Sequence, residues 1–308
     1  MPAAGGRDRA EGPAELDVLG LVLHPERDSA EAVEAVLDWA RRKGARVLGI
    51  DTEIQRLNCA AAAVTATELG QRADLLISLG GDGTMLRAMR LADRQRASVL
   101  GVNLGKLGFL TEVDVPDLPD ALSAIDDNEY TVEPRPALDA VIGGQVVSAF
   151  NDVAVVRYPG QPTAVVAVRA AGHPFVSYAA DAVVVATPAG STAYSFSAGG
   201  PIVSPAVEAL LVTPAAPHSA YNRGLVLSVH DSLALEILPA SGPLAVEVDG
   251  QLAANVDVGD LIELRSRPGA AHIVRLGRTT FYERARRKLR LTDSAEVPAD
   301  PSSAGRRP

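Results

Sequence analysis

The chain reads as an α/β domain followed by an all-β domain. Strand-like and helix-like patterns alternate as far as about residue 126, the signature of a parallel sheet with crossover helices. Beyond Pro134-Arg135-Pro136 the pattern changes to short β-branched runs separated by Gly, Pro and Asp turns, as in a β-sandwich. A length of 308 residues, 47% hydrophobic and 22% charged, suits two cores rather than one.

Residues 1–15 are Gly, Ala, Pro and mixed charge and read as a disordered lead without the apolar stretch of a signal peptide. Asp17–Leu23 is an apolar strand. Asp28-Ser29-Ala30-Glu31 has capping-box spacing. Val33, Val36, Leu37 and Ala40 follow at helical intervals, and Gly44 closes that helix. Arg46–Ile50 is the second strand. Within 51–73 the Ala-rich part, 59–69, is expected to be helical. Leu75–Leu79 is a third strand, Met85–Ala92 a helix and Val99–Val102 a fourth strand.

In the second half, Leu138–Ile142 and Val146–Phe150 flank Gly143-Gly144, a two-residue hairpin turn. Further strands are expected at Val153–Tyr158, Ala164–Arg169, Ala182–Thr187, Gly224–Val229, Leu233–Leu238, Leu244–Val248, Leu261–Arg265 and His272–Leu276. Ala206–Leu211 looks briefly helical. Phe281–Leu291 is a basic helix, and residues 292–308 read as a disordered tail.

A net charge of −9 argues against a nucleic-acid partner, which needs a basic surface. No stretch approaches the 18 or so apolar residues of a membrane span, so no membrane partner is expected. The single cysteine, Cys59, excludes an internal disulfide framework and fits a reducing, cytoplasmic setting.

Chemistry concentrates in a few stretches. Leu75–Leu79 runs into Gly80-Gly81-Asp82-Gly83-Thr84 and then a helix. The glycines let a phosphate approach backbone amides, and the helix N-terminus favours negative charge. Asp82 would repel that phosphate unless it binds a metal or takes a proton from a sugar hydroxyl. A second glycine stretch, Asn103–Phe109, follows the next strand and carries Lys106. In a parallel sheet both lie at the carboxyl edge, where ligands sit. Asn151-Asp152 offers a donor and acceptor for a purine edge and an acceptor for ribose hydroxyls. The strand Ala182–Thr187, preceded by Asp181, feeds a turn in which Thr187, Ser191, Thr192 and Tyr194 form a dense hydroxyl cluster. His218 and Asp249 are further polar residues near such turns.

The glycine turn resembles a signature shared by NAD kinases and by diacylglycerol- and sphingosine-type lipid kinases. The full set is more specific: Gly80–Thr84, Gly101–Leu110, Asn151-Asp152, Thr187–Tyr194, Ala198-Gly199-Gly200-Pro201 and Val248-Asp249-Gly250, in this order, resemble a bacterial-type NAD kinase across roughly residues 16–291. Thr187-Pro188-Ala189-Gly190-Ser191-Thr192-Ala193-Tyr194 separates that family from the lipid kinases.

The resemblance implies a Rossmann-like α/β domain over 16–135 and a β-sandwich over 136–276, with helix 277–291 returning to the first domain. It implies phosphoryl transfer from ATP or polyphosphate to the 2′-hydroxyl of the NAD adenosine ribose, with Mg²⁺ neutralising the donor phosphates. Asp82 would activate the hydroxyl, and Gly80, Gly81, Gly83 and Thr84 would meet the donor. Asp82, Gly83, Asn151, Asp152, Asp181, Thr187, Thr192, Ala193 and Tyr194 would hold NAD. A homodimer or homotetramer is also implied.

The chain departs from the family's usual pattern at three places. Asp152 stands where the family has Glu, a reach shorter by about 1.5 Å. Ala182 and Ala189 replace Gly and Thr. Asp82 is untouched.

Overall fold

The computed structural model describes residues 16–105 and 108–291. The expected lead, the tail and Lys106 lie outside them. The first half contains β1 (Val18–Leu23), α1 (Ala30–Lys43), β2 (Arg46–Ile50), α2 (Asp51–Leu57), β3 (Ala62–Val64), α3 (Ala66–Arg72), β4 (Leu75–Gly80), α4 (Asp82–Ala92), β5 (Ser98–Asn103), β6 (Val113–Asp114) and α5 (Leu118–Asp126). Strands β3-β2-β1-β4-β5 are parallel neighbours. Chain order reverses between β1 and β4, so a crevice opens at their carboxyl ends. The glycine turn follows β4 at that crevice.

Both faces of this sheet are covered, which is why its strands are apolar on both sides. Val33, Trp39 and Leu122 of α1 and α5 pack on one face with Leu21 and Ile77. Leu69, Met85 and Met89 of α3 and α4 pack on the other with Val22 and Leu76.

The second half contains β7 (Thr131–Ile142), β8 (Gln145–Ala149), β9 (Asp152–Arg157), β10 (Ala164–Ala170), β11 (His173–Ala180), β12 (Ala182–Ala186), α6 (Tyr194–Ser197), β13 (Ala209–Ala215), β14 (Leu225–Ser228), β15 (Leu233–Ile237), β16 (Leu244–Val248), β17 (Gln251–Val256), β18 (Leu261–Arg275) and α7 (Phe281–Leu289). A six-stranded sheet, β14-β13-β12-β9-β16-β17, faces β7, β10, β15 and β18. Val153, Val185 and Val246 meet Leu138, Val166, Leu235 and Leu264 in one core. The long strand β18 joins the halves. It runs antiparallel to β15 at one end and parallel to β5 at the other.

Several expectations are corrected. The Ala-rich stretch is not one helix: residues 62–64 extend beside β2, and Thr65 then caps α3, its hydroxyl accepting from the Glu68 amide in a full capping box. At α1 the box does not form. Ser29 is the N-cap, and Asp28 instead accepts from the Ala30 amide at 2.9 Å. Ala206–Leu211 is not helical; from Ala209 it becomes β13, buried between β12 and β14, where an apolar run needs no period. The strands expected at 261–265 and 272–276 are one strand, bent by a register shift between Arg267 and Ala271. Strands β11 and β17 were not expected.

Candidate active site

Asp82 is the first residue of α4. Its carboxylate is held by three donors. The Leu110 amide donates to Oδ1 at 2.9 Å; the Phe109 amide and Lys288 Nζ donate to Oδ2 at 3.0 and 2.6 Å. A carboxylate offers about four acceptor sites. The one left open is on Oδ1, and Asp82 keeps about a quarter of its side chain accessible, 27%. Lys288 comes from α7 and also sits 4.6 Å from the Phe109 ring centre.

The glycines of the turn divide by role. Gly80 is buried at the end of β4, and a Cβ there would overlap the Thr84 side chain, so Gly80 and the buried Thr84 pack on each other. Gly81 and Gly83 face open space, with nothing within 4 Å of a built Cβ. Both stand at the start of α4, Gly81 as its N-cap and Gly83 within its first turn.

Phe150 is buried in the core shared with Met85 and Met89 of α4, so Asn151 and Asp152 emerge beside that helix. Asp249, in the turn between β16 and β17, fastens this junction. Its fully buried carboxylate accepts from the amides of Phe150, Asn151 and Asp152 at 3.1, 2.7 and 3.3 Å and from Arg90 Nη1 at 3.0 Å. Arg90 lies eight residues beyond Asp82, about 12 Å along α4. Asp249 thus ties the glycine-turn helix to the start of β9.

Asp152 is buried, and its carboxyl is pushed up to about 7 by burial first and then by the charges of Asp249 and Glu247, against one bond from the Tyr194 amide. Thr187 is also buried, its hydroxyl donating to the Phe150 carbonyl at 2.7 Å and accepting from the Gly190 amide at 3.1 Å. Its side chain is committed to holding the turn rather than facing a ligand. Gly190 packs directly on the Asn151 carbonyl, where a Cβ would overlap it. This close approach brings Thr192, Ala193 and Tyr194, all half-buried, over Asn151-Asp152. Thr192 Oγ1 donates to the Ala189 carbonyl at 3.2 Å. The Tyr194 phenol is pushed up by burial and then by the charges of the Glu247, Asp152 and Asp181 carboxylates.

Asp181 precedes β12 and Thr187 follows it, about 20 Å apart along the strand. Asp181 is ion-paired with Arg157, whose hydrogen bond holds its carboxyl below the ordinary range, and His218 Nε2 lies 3.9 Å away. It thus stands at the opposite end of β12 from the hydroxyl-rich turn.

Lys288, Arg90 and Glu247 were not singled out by the sequence. A signal for Lys288 existed: Phe281, Arg284, Ala285 and Lys288 recur at three- and four-residue spacing, so two cations share the inward face of α7. Arg90 and Glu247 lacked any local signal, because their partner Asp249 and neighbour Asp152 are distant in sequence.

Known proteins resemble the chain over most of its length. Residues 19–130 match the ATP-NAD kinase N-terminal domain and residues 150–276 the ATP-NAD kinase C-terminal domain. The chain is 38% identical to NAD kinase 1 of Streptomyces avermitilis over 93% of its own length and 90% of the relative's. It is 37% identical to the NAD kinase of Desulforamulus reducens, with 89% and 98% covered. Among solved structures it resembles yeast NADH kinase complexed with NADH (TM-score 0.80, 26% identity, 92% and 90% covered) and the NAD kinase of Archaeoglobus fulgidus in complex with ATP (TM-score 0.70, 26% identity, 89% and 98% covered). The glycine turn of α4 and the hydroxyl-rich turn after β12 both fall within the matched stretches, and the chain belongs to the ATP-NAD kinase family of phosphotransferases.

Proposed function

We propose that this chain transfers a phosphoryl group from ATP, or from inorganic polyphosphate, to the 2′-hydroxyl of the adenosine ribose of NAD. One observation carries the reading. The Asp82 carboxylate is fixed by two amides and Lys288, with one acceptor site free, beside Gly81 and Gly83, where a side chain would meet only open space. That is a poised acceptor of a hydroxyl proton next to a phosphate cradle.

In the reaction the ribose 2′-oxygen attacks the terminal phosphorus of the donor. The new O–P bond forms as the bridging O–P bond breaks towards ADP or the shortened polyphosphate, and the hydroxyl proton passes to Asp82. Asp82 acts largely by orientation, since phosphoryl transfer is dominated by positioning and electrostatics. The Gly81 and Gly83 amides receive the donor phosphates. Asn151, Asp152, Thr192, Ala193 and Tyr194 hold the adenosine half, Thr187 shapes their turn, and Asp181 reaches the nicotinamide half. A pocket rich in carboxylates suits hydroxyl donors and a nicotinamide cation.

Mg²⁺ enters with the donor as part of that substrate. It commonly keeps several waters and takes one or two carboxylates beside substrate phosphates. Among the described residues no group of three or more His, Cys, Asp or Glu is arranged to hold a metal, and the donor phosphates with water would supply its ligands. When bound, it neutralises phosphate charge that a chain of net charge −9 repels.

The working form is a homodimer or homotetramer. The edge strands β14 and β17 of the six-stranded sheet carry exposed Val226 and Leu252, which supports edge pairing between copies. The test is to incubate the protein with NAD, Mg²⁺ and either ATP or polyphosphate. The product should carry its new phosphorus signal on the 2′-position. Phosphorylation elsewhere on NAD, or binding without turnover, sinks the proposal.

A further inference from the structure

Behind the Asp82 turn lies a second cavity, of about 530 Å³, between α7, the start of β7 and the segment 109–112. That segment is a shared wall. Its Phe109 and Leu110 amides turn to Asp82, while its Phe109, Leu110 and Thr111 carbonyls accept from Arg284 and Arg275 on the other side.

The cavity holds an unbalanced set of charges. Arg135, Arg275 and Arg284 line it with only two carboxylates, Glu112 and Glu133. Arg275 binds Glu112 at 2.9 Å and Glu133 at 2.7 Å, and Arg284 also binds Glu112. Among the described residues Arg135 reaches only Glu133, through Nη2 at 3.1 Å. It is 5% exposed, and its Nε has no partner. Burial, together with the neighbouring Arg275 and Arg284, brings the Arg135 guanidinium down to about 10. A buried cation with an unused donor is costly unless an anion completes it. Phe109, Phe281, Val132 and Pro205 give the cavity an apolar side, while Tyr130, Thr131 and Thr279 bring hydroxyls to the rest of the lining. The excess is one positive charge, so the complement is one negative charge on an apolar body.

We propose that this cavity is a binding site for a small organic monocarboxylate, its carboxylate on Arg135 and its apolar part against Phe109 and Phe281. It is separate from the phosphate cradle and from the Asn151–Tyr194 pocket. Arg135 is too buried to be a safe first variant. Ala206 lines the same cavity and is exposed, so Ala206→Glu can place a tethered carboxylate at the mouth without disturbing the core.

The probe is benzoate, with neutral benzamide as its isostere, measured by thermal unfolding and ligand-detected NMR. Benzoate at millimolar concentration should raise the unfolding midpoint by about 2 °C or more and show saturable binding, as expected of a ligand that binds only the folded state. Benzamide should do neither. Ala206→Glu should lose the benzoate effect, and Ala206→Gln should keep it. Failure of benzoate to bind, equal binding of benzamide, or full binding to Ala206→Glu would each overturn the assignment.

Discussion

Replacing Asp152 by Asn separates one buried carboxyl from every other titrating group. Asp152 is 4% exposed, and its carboxyl is raised from 3.8 to about 7 in the folded chain. In the unfolded chain it returns to the ordinary carboxylate range. Across that window the folded protein holds a proton that the unfolded chain has released. Stability therefore falls as pH rises, by up to about 1.4 kcal/mol per pH unit, and levels off above the folded value. The whole interval amounts to about 4 kcal/mol. Asn keeps the shape and cannot ionise, while all other groups titrate alike in both proteins. The assay is urea unfolding of both at successive pH values from about 4 to 8. The stability of Asp152→Asn relative to the parent should climb by about 4 kcal/mol over that range. Parallel curves would refute the argument that burial and the Asp249 charge keep this carboxyl protonated. In turnover, the ionised form is the one that accepts ribose hydroxyls, so KM for NAD should fall as pH rises through 7, and the variant should lose that limb.

Lys288→Met removes the cation 2.6 Å from Asp82. A charge-assisted hydrogen bond of about 1.5–3 kcal/mol corresponds to a roughly 10- to 100-fold fall in kcat. KM for NAD should barely change, and Lys288→Arg should restore part of the rate; a fall confined to KM would remove Lys288 from the phosphoryl-transfer step. Gly83→Ala adds a Cβ that meets nothing within 4 Å inside a helix. It should stabilise the fold by about 0.5–1 kcal/mol while weakening donor binding, read as a rise in KM for ATP. An unchanged KM would show that the Gly83 amide is not part of the cradle.

How much of this was readable beforehand follows the range of each interaction. Strands β1, β2, β4 and β5 were legible because a parallel sheet covered on both faces demands apolar runs, and the Gly143-Gly144 hairpin because its turn needs two positive φ angles, 55° and 81°. Strand β13 was misread because Ala and Leu serve either element, and only the pairing with β12 and β14 decides. The Ala-rich run failed for the same reason. In the site, Asp82 stood out because its turn is local. The function of Asp249 as a clasp on Phe150–Asp152 and Arg90 could not be read, since it depends on residues about a hundred and more positions away. Thr187 was expected to contact NAD, yet its hydroxyl is spent on the Phe150 carbonyl, a destination only the folded backbone supplies.

The account stands most directly on Asp82. Asp82→Asn keeps the side chain's size and leaves an acceptor for one of the two amides, so its melting transition should stay close to the parent's. The rate of NADP formation from NAD, ATP and Mg²⁺ should fall by at least about a hundredfold, the low end of what a positioned proton acceptor contributes. A folded Asp82→Asn protein that makes NADP at the parental rate would contradict the account.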